Sequence, residues 1–219
     1  MTRDTGRRRR GVVAITAATG GALLGKSLST EPDSREFYLL TGAVAAVWTV
    51  GGLLSAPHRR EWVRGRVTTA ADLARPVAIG AGAFATFYAA ARVARRIPVL
   101  DSALRSVLAY SHEGSDAAVL GTALVNGLAE EVFFRGAVYD ALTPRHQVAA
   151  TTATYMAVTT ATRNPALVAA SGVMGWIFVK QRRESGGIID PIVTHVTWST
   201  LMLRYLPPLF EPRRQHRKR

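Results

Sequence analysis

Long apolar runs alternate along the chain with short charged blocks. Residues 11–24 form the first run, small and apolar, with Lys26 just beyond it. It follows a basic stretch, as the core of a signal peptide would. No small-x-small cleavage site follows, and more apolar runs do, so the pattern favours a first membrane helix. Residues 37–56 are the cleanest run, about 20 residues without a charge, the length a bilayer core demands of a helix. Further runs cover 76–91, 117–129 (resuming at Val132 and continuing to Leu142), 148–161, 165–179 and 188–206. Pro57, Pro144 and Gly186-Gly187 punctuate them as helix stops. Residues 98–116 differ, because Leu100, Leu104, Val107 and Leu108 fall at helical spacing among polar residues, predicting an amphipathic helix along the surface.

The predicted fold is therefore all-α, a multi-pass transmembrane helix bundle of about seven spans of bilayer length. Alanine, glycine, serine and threonine recur through the spans, as where helices approach closely in lipid. The division that follows is a basic N-terminal tail (1–10), N-terminal membrane helices with the surface helix (11–115), a core (116–206) and a basic C-terminal tail (207–219).

Charge sharpens this picture. The net charge of +13 would suit a nucleic-acid binder, but the arginines cluster at the edges of apolar runs: Arg7 to Arg10, Arg59-Arg60, Arg95-Arg96, Arg182-Arg183 and Arg213-Arg214. Such clusters match anionic headgroups and the positive-inside bias, so membrane lipids are the expected partner and no nucleic acid is expected. The expected location is the cell membrane. A cytoplasmic N-terminus and 58–66 loop would put the basic C-terminal tail outside under strict alternation of seven spans, which leaves the topology open. The chain has no cysteine, which excludes disulfides, thiolate catalysis and cysteine-bound zinc.

Against this background, Glu130-Glu131-Val132-Phe133-Phe134-Arg135 places charge inside an apolar run. A charge near the bilayer centre costs roughly 2.5–3.5 kcal/mol on insertion scales, so it marks a functional site by default. On a helix Glu131 and Arg135 share a face and can pair, which is also what a purely structural ion pair would do. Glu130 lies about 100° round and lacks a local cation. An unpaired acid beside a paired one is how a general base stays reactive. Asn126, one turn earlier, is within reach of Glu130, or serves packing alone. Among the histidines, His58, His112, His146 and His216 fall in polar or basic loops, whereas His195 lies well inside an apolar run. It is either a satisfied core histidine or a working imidazole, with Ser199 one turn on to orient it or a bound water.

These residues carry a resemblance. Glu130-Glu131-x-x-x-Arg135-Gly136, with Gly186-Gly187-Ile188-Ile189-Asp190-Pro191-Ile192-Val193-Thr194-His195 later, resembles the CPBP family of CAAX protease and bacteriocin-processing intramembrane proteins, also called Abi or Rce1-like. The resemblance covers residues 115–206 and makes 116–206 the CPBP-like core. It implies an intramembrane endopeptidase in which Glu130 activates water with Glu131 beside it. Arg135 would stabilise the helix, and His195 would polarise the substrate carbonyl, hold the water or bind the oxyanion. Two positions depart from the family pattern. Thr159, in Tyr155-Met156-Ala157-Val158-Thr159, stands where a histidine is usual, and Ser199 stands where asparagine or aspartate is usual. Cofactor use is unknown from the sequence. Zinc is possible, but carboxylates, one histidine and hydroxyls are poor ligands for it, and a metal-free route fits these residues better.

Three functions stay open from sequence. The first is an intramembrane endopeptidase acting on a peptide or membrane-protein substrate. The second is a catalytically inactive CPBP-like scaffold that binds or stabilises a partner membrane protein. The third is a transporter or proton relay using the buried carboxylates.

Overall fold

The computed structural model describes residues 3–56, 59–62 and 69–210. Most of the basic 58–66 segment and the C-terminal tail after residue 210 lie outside the described residues. Those described form helices and turns, with no strand among them. In order they are α1 (Arg3–Ser27), α2 (Arg35–Ser55), α3 (Arg59–Trp62), α4 (Ala74–Ala94), α5 (Pro98–Glu113), α6 (Asp116–Glu130), a π segment (Glu131–Val138), α7 (Tyr139–Ala141), α8 (Gln147–Thr159), α9 (Pro165–Ser185) and α10 (Ile189–Tyr205). The all-α fold read from the sequence therefore holds, and each apolar run has become a helix.

Local chemistry sets the ends. The hydroxyls of Ser34 and Ser115 accept from the backbone N–H groups of Phe37 and Ala118, capping α2 and α6. Asn164 accepts from two backbone N–H groups, Ala166 and Leu167, ahead of Pro165 at the first position of α9. At the other end of α9, Gly186 adopts a left-handed φ of 75°, which a glycine tolerates without a Cβ clash. That turn lets the chain reverse directly into α10.

Among the described residues, three helices have the length and apolar character to cross a membrane: Arg35–Ser55, Ala70–Ala94 and Asp116–Ala141. The last joins α6, the π segment and α7. The helices expected from the other runs are present, but α8 has 13 residues and α10 has 17, short for a bilayer crossing of about 20.

Helix α2 packs against α1, α6 and the π segment, while α10 packs against α4, α6 and α9. The main core gathers Val44 and Trp48 of α2, Phe133, Phe134, Ala137 and Val138 of the π segment, and Trp62 of α3. The amphipathic α5 turns its apolar face onto protein, with Leu104 and Leu108 against Ala91, Leu206 and Phe210. The side-chain amide of Asn164 donates to the Ala103 carbonyl and the Ser106 hydroxyl of the same helix.

Candidate active site

The two glutamates sit where α6 changes into the π segment. A π turn closes on residue i+5 instead of i+4 and occurs mostly as a single turn, frequently at functional sites. Nothing in the residue pattern marks it, since an apolar run reads the same in either register.

Glu131 and Arg135 are fully buried and ion-paired, with Arg135 Nη1 3.2 Å from Glu131 Oε1. The same carboxylate oxygen lies 2.8 Å from His195 Nδ1, so α10 is tied to the π segment. A carboxylate can only accept here, so Nδ1 is the ring nitrogen that donates to Glu131. The Cε1 and Nε2 edge of the ring faces Gly127, where an added Cβ would lie 3.4 Å from both atoms. His195 was read as either a core histidine or a working one. It is held like the former, yet it also borders a cavity.

Flat groups pack around the ion pair. The Arg135 guanidinium lies between the rings of Tyr155 at 4.6 Å and Phe178 at 4.8 Å. Phe178 in turn stacks on His195, with centroids 4.7 Å apart and planes 23° apart. Cation–π contact of this kind is strongest for a desolvated cation. It offsets part of what burying Arg135 costs.

Glu130 faces differently. It is half-buried, and its Oε2 accepts from the Tyr155 hydroxyl at 2.5 Å. Glu130, Tyr155, Thr159, His195 and Trp198 line one cavity of about 200 Å³, with Leu24 and Met174 among its apolar walls. The structure thus brings Glu130, Glu131, Arg135, Thr159 and His195 together. Thr159 directs its hydroxyl to the Tyr155 carbonyl within its own helix. Asn126 behaves likewise, its amide donating to the Thr122 carbonyl and not to Glu130. Ser199 is not a lining residue, and the partner expected of it at the imidazole is supplied by Glu131.

Residues 114–201 match the family described as type II CAAX prenyl endopeptidase Rce1-like. Over that segment, less than half of the chain, the protein is similar to that family. The segment contains the whole Glu130, Glu131, Arg135, Tyr155 and His195 arrangement, so the CPBP resemblance stands. No curated protein and no solved structure matches the chain. The matched family is one of endopeptidases, and three helices among the described residues have the length and apolar character to cross a bilayer.

Sequence reasoning missed Tyr155 as a partner of Glu130. The available signal was an aromatic residue one turn before Thr159 in the degenerate Tyr-x-x-x-Thr match. A metal finds few ligands here. Among the described residues no group of three or more His, Cys, Asp or Glu is disposed to hold one. Glu130 and His195 border the cavity, whereas catalytic zinc takes three protein ligands.

Proposed function

We propose that the protein is a multi-pass intramembrane endopeptidase of the cell membrane, with 116–206 as its catalytic core. It hydrolyses a peptide bond in a membrane-associated peptide or protein, with glutamate as the base. The observation that carries this reading is the shared cavity: Glu130 and His195, from separate helices, border one space.

In the proposed reaction, a water in the cavity gives a proton to Glu130 as its oxygen attacks the substrate carbonyl carbon. Oε2 of Glu130 is engaged by Tyr155, so Oε1 is the oxygen left to take that proton. His195 holds the water through Nε2, because Nδ1–H is committed to Glu131. As Glu130 becomes neutral, the Tyr155 hydroxyl is released to donate to the oxyanion. The C–N bond then breaks, and Glu130 returns its proton to the leaving amine. The products are a carboxylic acid, which gives up the second proton of the water on release, and an amine. No step in this scheme is routed through a metal.

Thr159 and Ser199 bear on this scheme differently. A threonine that hydrogen-bonds its own helix leaves room in the cavity where a longer side chain would project. Ser199 has no part in the proposed reaction.

The test is turnover of candidate membrane-associated peptides by the purified protein in detergent or liposomes. Glu130→Gln removes the base and should lower turnover by about 10²–10⁴-fold, the range for a positioned acid–base group. His195→Ala should lower it as well. Equal turnover in all three proteins would end the glutamate mechanism.

A further inference from the structure

We propose that Arg182 is a positioning residue that holds the π turn in register by occupying the Arg135 carbonyl, the one the turn passes over. In an α-helix the N–H of residue 139 would bond to the carbonyl of residue 135. Here the Tyr139 N–H goes to the carbonyls of Phe134 and Gly136. Arg182 Nε instead donates to the Arg135 carbonyl, at 2.9 Å. A buried carbonyl without a partner is costly, so a donor delivered from another helix stabilises the π register against the α one.

The same guanidinium is fixed on every side. Nη2 donates to Asp140 Oδ1 at 3.1 Å, Nη1 donates to the Gly186 carbonyl, and the plane lies 5.1 Å from the centre of the Tyr139 ring. Asp140 is held in turn by the Trp62 indole N–H at 2.8 Å, with Arg9 of α1 at 4.0 Å. Burial lowers the Arg9 guanidinium from its ordinary value, and the Asp140 carboxylate opposes that shift.

Two consequences connect this anchor to the site. Arg135 bears both the carbonyl taken by Arg182 and the guanidinium paired with Glu131, so fixing its backbone fixes the ion pair. Gly186, a further acceptor of Arg182, begins the turn into α10, the helix that carries His195. Arg182 therefore sets the spacing between the two helices that meet at the Glu131–His195 contact. The sequence pattern makes it one of a boundary pair of arginines. In the fold Arg183 keeps that exposed position and Arg182 points inward.

The effect on turnover rests on the peptidase reading above, while the effect on the helix does not. Amide hydrogen exchange in lipid nanodiscs, compared for wild type, Arg182→Ala, Arg182→Lys and Asp140→Asn, separates the two. In Arg182→Ala, amides 134–140 should exchange roughly tenfold faster or more, while those of Arg35–Ser55 stay as in wild type. Turnover should fall by about 10²-fold with KM within about twofold, the signature of misplacement and not of lost binding. Arg182→Lys, with one donor left for the carbonyl, should lie between. Asp140→Asn, which keeps the carbonyl contact, should exchange at 134–140 like wild type. Unchanged exchange in Arg182→Ala would overturn the proposal, as would uniformly faster exchange in every helix. Should Arg182→Ala not fold, equal exchange at 134–140 in Arg182→Lys and Asp140→Asn would overturn it instead. A wild type without turnover would end the peptidase reading and leave the exchange result standing.

Discussion

Glu131 sits out of reach of bulk water, and its neighbours make that possible. Arg135 supplies the opposite charge, His195 supplies a donor, and aromatic faces cover the guanidinium from both sides. Removing one member of a buried pair strands the other, at roughly 3–5 kcal/mol. Arg135→Met should therefore lower the stability of the folded protein by about that much, read as a fall in the unfolding midpoint in detergent. A change below about 1 kcal/mol would place the pair in the solvent-exposed class. This pair was legible in the sequence, because residues four apart on a helix meet. The His195–Glu131 and Tyr155–Glu130 contacts were not, since nothing in a one-dimensional pattern says which faces of α8, α10 and the π segment oppose one another.

At the scale of the element, each apolar run could be read as a helix because its length and its Pro and Gly stops act locally. The π segment could not, because the choice between α and π registers is made by a donor on a distant helix. Glycines set how closely helices approach the site. At Gly127 a Cβ would make ordinary contact with the imidazole at 3.4 Å, so Gly127→Ala should be tolerated. A branched side chain has to enter the imidazole's space, and overpacking of that kind costs about 1–3 kcal/mol. Gly127→Leu should displace the ring and abolish turnover of the candidate peptides, while helix content by circular dichroism stays that of the wild type. Full turnover in Gly127→Leu would mean that the imidazole does not need its present place.

Across the whole molecule, large apolar side chains remain uncovered. Ile15, Leu39, Leu54, Val93, Val99 and Trp176 are each more than half exposed. A soluble monomer seldom leaves so much apolar surface facing water, whereas lipid covers it without penalty. Exposed arginines such as Arg7, Arg8, Arg10, Arg95, Arg96 and Arg183 lie outside the apolar stretches of their helices, where headgroups would lie. The protein should stay with the membrane pellet after an alkaline carbonate wash, and recovery in the supernatant would contradict that. The number of crossings is less legible than the helices themselves. Length and hydropathy mark α2, α4 and the joined α6–α7 helix, while shorter helices such as α8 carry polar threonines that protein neighbours also accommodate.

A π turn takes up one more residue than an α turn, so the helix from Asp116 to Ala141 contains one residue more than a regular helix needs to make the same rise. Were a single position between 131 and 138 deleted, the helix could relax into an unbroken spiral. The helix beyond the deletion would then keep close to its present place, because the residue removed is the one the π turn had taken up in excess. Asp140 would stay near Arg9 and Arg182, and a point deletion in the middle of the bundle would be felt by the side chains of 131–138 and not at its rim.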